Sequence, residues 1–261
     1  NKDEAHIMSD IPILKIENLG HSYGRYMVIR DISLEVAPGE LTALIGPNGA
    51  GKTTFYNSVS GGFRPTAGKV YFDGRDITGL PAHKLVPLGL LRSFQITNIF
   101  PNLTVIENVM VPLVLHHGKG YSFLGSLSGE KKLYRKAEDV LDKVGILSSA
   151  HRPANELPYG NKRLVEMAIV LARNPKLVML DEPTAGMNPE ETDRMIHLIK
   201  DLAGRFGTTF FLTEHDMKVV FAVASRIYVL HQGGLLAQGD QETIRSDPKV
   251  REAYLGGSVH D

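Results

Sequence analysis

Residues 41–54 read LTALIGPNGAGKTT, and no other stretch restricts the fold as tightly. LTALI is a short apolar run that reads as a buried strand. The chain then turns into Thr53–Val59, which reads as a helix stopped by Gly61-Gly62. Gly46, Pro47, Asn48, Gly49, Ala50, Gly51, Lys52 and Thr53 satisfy G-x-x-x-x-G-K-[ST], with a strand before and a helix after. The glycines let the backbone curl, so that successive N–H groups at a helix N-terminus converge on phosphate oxygens. Lys52 would neutralise the β- and γ-phosphates, and the Thr53 hydroxyl is a hard oxygen donor for Mg²⁺. Thr54 belongs to the same binding stretch. An ordinary glycine-rich turn accounts for the glycines but not for a Lys-Thr pair at the required place.

Such a loop needs an acidic group at the tip of a neighbouring strand, and LVMLDE at 177–182 supplies one. Asp181 at the tip can hold Mg²⁺ through water. Glu182 follows it and can orient or deprotonate an attacking water. Two carboxylates at a strand end are common by themselves; the phosphate loop gives this pair its meaning.

The rest of the chain alternates strand and helix signals. ILKIENL, YMVIRDISLEV, KVYFDG, KLVMLD, TTFFLTEH, RIYVLHQGG and LLAQGD read as strands. From about residue 80 to 175 the signal is helical. Leu133, Ala137, Val140, Leu141 and Val144 fall on one helical face, and LVEMAIVLARN is a second helix. DRMIHLIKDLAGRFG is amphipathic, and TIRSDPKVREAYLG reads as a helical tail. HHGKGYSFLGSLSGE is rich in Gly and Ser and reads as a mobile loop. Its His116-His117 pair lacks a carboxylate cluster beside it, so a solvated loop is the better reading than a metal site. The alternation gives an α/β fold with a mainly parallel sheet, a strand-rich N-terminal lobe and a helical insertion.

Composition removes several function classes. The 29 basic and 29 acidic residues balance, which argues against a general nucleic-acid binder. There is no cysteine, which excludes disulfides, thiolate metal sites and cysteine nucleophiles. No run of about eighteen apolar residues spans a membrane. The N-terminus lacks a secretory segment, and Met8 is the expected natural start.

Taken together, these motifs resemble those of the ABC-type ATPases, in the family's order and over nearly the whole chain. The resemblance implies a P-loop NTPase (RecA-like) core at about 11–95 and 162–240 with an antiparallel N-terminal β lobe. A helical subdomain would occupy about 96–161 and a helical tail 241–261. ATP and Mg²⁺ are the implied cofactors. Tyr23 resembles the aromatic that stacks on adenine. Gln95, in RSFQITNIF, resembles the glutamine that contacts Mg²⁺ and the attacking water. His215, in LTEHDM, resembles the switch histidine that steadies the γ-phosphate during catalysis, alongside Glu182 as base. Thr184–Asn188 occupies the segment that crosses to the other subunit.

The family signature is usually Leu-Ser-Gly-Gly-Gln, opening a helix shortly before the acidic strand. Leu127-Ser128-Gly129-Glu130 imitates it but stands too far from KLVMLD and before the wrong helix. The corresponding segment is Leu157-Pro158-Tyr159-Gly160-Asn161. In the family it binds the nucleotide held by the opposite subunit. Pro158 in the serine position lacks both a hydroxyl and a backbone N–H, a loss of about 1.5–3 kcal/mol in the trans contact. Gly160 is retained, and Asn161 keeps an amide.

The family holds ATP between two cassettes, so a second ABC ATPase chain, identical or different, is the implied partner. SFQ…NLTVIENV, DEPTAGMNPEET and the tail SDPKVREAYLG bring the resemblance closest to ATPases of bacterial branched-chain and hydrophobic amino-acid importers. That implies two integral-membrane permeases, a periplasmic substrate-binding protein and a cytoplasmic place on the inner membrane face. Related cargoes are urea, amides and aromatic acids, and export-type relatives handle lipids. A soluble ABC ATPase outside transport and an inactive nucleotide-binding regulator are the competing classes. The short, charge-balanced chain argues against the first, and intact Lys52, Asp181, Glu182 and His215 argue against the second.

Overall fold

A computed structural model describes residues 11–92, 99–116 and 127–255. In chain order they form β1 (Leu14–Tyr23), β2 (Tyr26–Val36), β3 (Leu41–Ile45), α1 (Lys52–Val59), β4 (Ala67–Phe72), β5 (Arg75–Asp76) and β6 (Leu90–Arg92). Three longer helices follow: α2 (Val105–His116), α3 (Leu127–Lys143) and α4 (Tyr159–Leu171). Then come β7 (Leu177–Asp181), α5 (Pro189–Phe206), β8 (Thr209–Thr213), α6 (Met217–Val223), β9 (Arg226–His231) and β10 (Gly234–Gly239). Helices α7 (Gln241–Ser246) and α8 (Pro248–Leu255) end the described chain. None of the described helices is long and apolar enough to cross a membrane.

The described residues divide into two compact units. One comprises the chain up to Arg92, Lys176–Glu182 and everything from Ile199 onward; the other comprises Ser93–Pro175 and Pro183–Leu198. The second unit spans more of the chain than the 96–161 insertion expected from sequence: it also takes in α4 and the start of α5.

Two sheets build the first unit. β2, β1, β4 and β5 form an antiparallel sheet in that order. The second sheet has the order β10-β9-β3-β8-β7-β6, parallel throughout except for the β9–β10 edge pair. LVMLD and TFFLT are buried at every position, as expected of central parallel strands covered on both faces. Phe55, Tyr56 and Val59 of α1 join Ile16, Ile29, Val70, Met179 and Phe211 in one core. The Phe55 ring stacks on Phe211 at 5.8 Å. This packing anchors the helix whose N-terminus carries the phosphate loop.

In the second unit a capping box opens α2: Thr104 N–H and Oγ1 donate to Glu107 Oε2 at 2.7 Å each. Buried Asn108 donates to the carbonyls of Phe100 and Thr104, fixing the turn before the helix.

Three expectations need correction. The stretch from 80 to 175 is not helical throughout, since Leu90–Arg92 is an edge strand paired in parallel with β7. Three residues are too few for periodicity to register, and the pairing alone makes the strand. The tail is two helices, because Pro248 cannot continue α7 and instead opens α8, with Asp247 accepting from Lys249 N–H at 2.8 Å. Leu127–Glu130, read as loop, forms the first turn of α3; residues 117–126, like Met8 and Gln95, lie outside the described residues.

Candidate functional site

The turn from β3 into α1 has the geometry its sequence implies. Gly51 stands at the helix N-cap with φ 101°, and α1 has neither a side-chain cap nor an acidic residue in its first turn. A Cβ on Gly51 would approach Ile29 Cγ2 at 2.5 Å, and one on Gly46 would approach the Leu230 carbonyl at 2.4 Å. Both glycines are therefore demanded by close backbone approach. Gly233 N–H donates to Ala50 O at 3.1 Å and ties the loop to the β9–β10 turn. Lys52, only 9% exposed, folds back so that Nζ donates to Gly46 O at 2.7 Å and Pro47 O at 3.1 Å. Burial lowers the Lys52 pKa, while the carboxylates of Glu182 and Asp181 oppose that shift. An ammonium held within reach of the helix N-terminus suits a polyphosphate.

Strand register brings the acidic pair to the same end of the sheet. Asp181 and Thr213 are direct partners in the β7–β8 ladder, and Thr213 Oγ1 donates to Asp181 Oδ1 at 2.6 Å. Asp181 is 8% exposed. Glu182 turns away from the strand with φ 48°, a left-handed conformation rare for a residue with a side chain. Its Oε1 lies 2.6 Å from His215 Nε2. The sequence-predicted base and switch histidine are thus in direct contact. The Thr53 hydroxyl and the Asp181 carboxylate are hard oxygen donors of the kind Mg²⁺ prefers. Among the described residues no cluster of three or more His, Asp or Glu side chains could hold a metal.

Tyr23 is 54% exposed, not a core residue. Its ring is held edge-on against His21 at 4.7 Å and Phe63 at 5.9 Å, with His21 stacked on Phe63 at 4.2 Å. This aromatic support leaves Tyr23 surface open for a planar base.

In the second unit, Pro158 is the N-cap of α4 and makes no side-chain cap. Glu191 of α5 acts in its place: Gly160 N–H donates to Glu191 Oε1 at 3.1 Å. A Cβ on Gly160 would lie 2.4 Å from that oxygen, so a glycine is required for the approach. Glu191 Oε2 also accepts from Asn188 N–H, and Glu191 N–H donates to Asn188 Oδ1, a reciprocal cap for α5. The Tyr159 hydroxyl donates to Ala185 O at 3.1 Å and accepts from Arg163 Nε at 3.2 Å. Asn161 is half-buried in the first turn of α4.

Comparison with known proteins decides the family. The model described as ABC transporter matches residues 29–185. The LivG protein of Escherichia coli K12, a high-affinity branched-chain amino acid transport ATP-binding protein, is 39% identical over 251 residues, covering 94% of this chain and 98% of LivG. The chain belongs to the ABC transporter family. A second model, branched-chain amino acid ATP-binding cassette transporter, matches residues 235–260 of the cassette. The solved ADP conformation of the cassette MJ1267 is 33% identical with a TM-score of 0.82, covering 94% of this chain and 99% of that one. The dimeric post-hydrolysis cassette MJ0796, bound to ADP and Pi, is 27% identical with a TM-score of 0.72, covering 87% and 98%.

Three residues that touch sequence-predicted site positions, two in the first unit and one in the second, escaped sequence reasoning. Thr213 and Arg92 arrive at Asp181 through strand pairing, and Glu191 reaches Gly160 across 31 residues. The SFQ that follows Arg92 closely was the only signal for it. Tyr254 of α8 is also half-buried near the loop: burial pushes its phenol up, and the Gly46 backbone acts the other way.

Proposed function

We propose that this cassette is the ATP-hydrolysing subunit of an importer of branched-chain amino acids, working as half of an ATPase pair docked on two permeases at the inner membrane face. A periplasmic binding protein would deliver the cargo. The observation that carries this reading is the similarity to LivG along 94% of the chain, extended by the branched-chain family match at 235–260.

Each cassette would contribute the catalytic half of one site. Tyr23 stacks on adenine. The loop amides of Gly46–Thr54 and the Lys52 ammonium, released from its two carbonyls, hold the phosphates. Thr53 and Asp181 would hold Mg²⁺, with Gln95 as a further ligand, and the bound ion would supply positive charge against the phosphates. Glu182 takes a proton from water as its oxygen bonds to the γ-phosphorus. The bond to the ADP oxygen breaks, and ADP and phosphate leave. His215 donates to Glu182 before this step and steadies the γ-phosphate during it. Leu157–Asn161 of one chain completes the site of the other.

The test is uptake in the native cell. Removing this chain is expected to abolish accumulation of labelled leucine, isoleucine and valine. Wild type restores it and Glu182→Gln does not. Undiminished uptake of all three without the chain would discard the cargo assignment.

A further inference from the structure

Asp181 has a permanent counter-charge beside it. β6 ends at Arg92, and its parallel pairing with β7 aligns Arg92 with Met179, two residues before Asp181. The guanidinium therefore lies beside the strand tip, with Nη2 3.6 Å from Asp181 Oδ2. Its position is fixed from several sides. Nη1 donates to Asn57 Oδ1 at 2.5 Å and to Ser60 Oγ at 3.2 Å. The guanidinium carbon lies 4.5 Å from the centre of the Tyr56 ring. The side chain is 18% exposed. Burial pushes the Tyr56 phenol well up, Asp181 adds to that shift, and Arg92 opposes it. Tyr56 is thus a neutral wall, and the guanidinium, which does not deprotonate in proteins, is the stable cation facing Oδ2. Oδ1 is held by Thr213.

We propose that Arg92 is a positioning residue for the metal end of the ATPase site, acting through Asp181 to set how tightly nucleotide-bound magnesium is held. This rests on the reading of Asp181 as the magnesium carboxylate. Arginine and Mg²⁺ draw on one carboxylate and repel each other, so the guanidinium weakens the ion's hold. Weak retention suits a site that must release MgADP each cycle. Arg92 is also the last residue of β6 before the stretch that contains Gln95.

The proposal is tested on the full cassette with fluorescent ADP, titrated with Mg²⁺ and compared with binding in chelator. Replacing Arg92 by Met, or by Gln should the Met variant fold poorly, is expected to lower the midpoint magnesium concentration about tenfold, the scale of one unit charge acting on a nearby divalent ion through wet protein. Affinity in chelator should not tighten, because Lys52 and the loop amides are untouched and the lost cation had, if anything, attracted the ADP phosphates. Arg92→Lys keeps the charge and should keep the midpoint. Mn²⁺ binding to the ADP complex, followed by its paramagnetic resonance, should tighten in step. An unchanged or raised midpoint in folded Met or Gln variants overturns the proposal. Asp181→Asn separates the two layers. If it raises the midpoint while the Arg92 variants do not lower it, only the Arg92 inference falls. If it leaves the midpoint unmoved, the magnesium reading of Asp181 falls and this inference with it.

Discussion

Two helix N-termini carry the phosphate-loop and signature segments expected from the sequence, and they are finished in opposite ways. α1 begins on a left-handed glycine with no side-chain cap and no acid in its first turn. α4 begins on a proline, yet a carboxylate from α5 already accepts from its Gly160 amide. Orphan amides at a helix start need a partner. At α1 the N-cap glycine has no side chain to offer and a lysine stands close by, which suits a phosphate. At α4 the chain supplies its own anion where a serine hydroxyl would ordinarily serve. The first terminus starts on a glycine without a side-chain cap and the second is ordered by a carboxylate of its own chain; on the function proposed above, an incoming γ-phosphate from another chain would meet Glu191 there.

The largest expected effect lies on the α1 side. Glu182→Gln keeps an amide near His215 but removes the proton acceptor, so turnover should fall about 10²–10⁴-fold. ATP affinity should hold, as measured by nucleotide binding beside single-turnover hydrolysis. Equal turnover would mean that the 2.6 Å contact with His215 is structural only. Lys52→Ala should come next. Losing charge-assisted bonds of about 1.5–3 kcal/mol each predicts nucleotide affinity roughly ten- to a hundredfold weaker. Among the described residues Lys52 donates to two loop carbonyls, so the melting temperature should move little. Unchanged affinity would show that the amides alone hold the phosphates.

On the α4 side the same kind of change should act on stability. Glu191→Ala removes the acceptor of both Gly160 and Asn188 amides and should cost about 1–2 kcal/mol. A denaturant midpoint reads this directly. Nucleotide affinity at the chain's own phosphate loop should not change. If affinity falls with stability intact, the two termini are not divided in the way the contacts indicate.

How much of this the sequence disclosed depended on how far apart the partners stand. Gly46–Thr53 was readable because strand, turn and helix are consecutive and each position has a local reason. Asp181 and Glu182 followed from an apolar run ending in acids. Thr213 was hidden, since its bond to Asp181 is created by the β7–β8 register. Arg92 was hidden because a three-residue strand has no period to detect and its neighbourhood read as helix. The proline at 158 was visible, but not the carboxylate 33 residues later that takes over the cap. Its clue was the Asn188…Glu191 spacing of a capping box, which explains one of Glu191's oxygens and says nothing of the other.

The smallest expected effect bears on whether α4 and the Thr184–Asn188 segment are joined once or twice. Tyr159 is 43% exposed, and its hydroxyl bridges Arg163 and Ala185 O. Water can replace that hydroxyl, so Tyr159→Phe should cost at most about 0.5–1.5 kcal/mol, toward the lower end. The informative quantity is its coupling with Glu191→Ala. Both side chains tie the start of α4 to residues 185–191, one through a carbonyl and one through amides. If the ties work as one clamp, breaking either loosens the other, and the double variant should lose less than the sum by about 0.5 kcal/mol or more. Additivity within about 0.3 kcal/mol would make them independent. Glu191 alone would then fix the Gly160 amide, and the tyrosine in a glycine position would be a surface brace. Coupling would instead make residues 158–163 and 184–191 a single rigid element, so that any displacement of Glu191 by a trans phosphate must also move the Thr184–Asn188 segment.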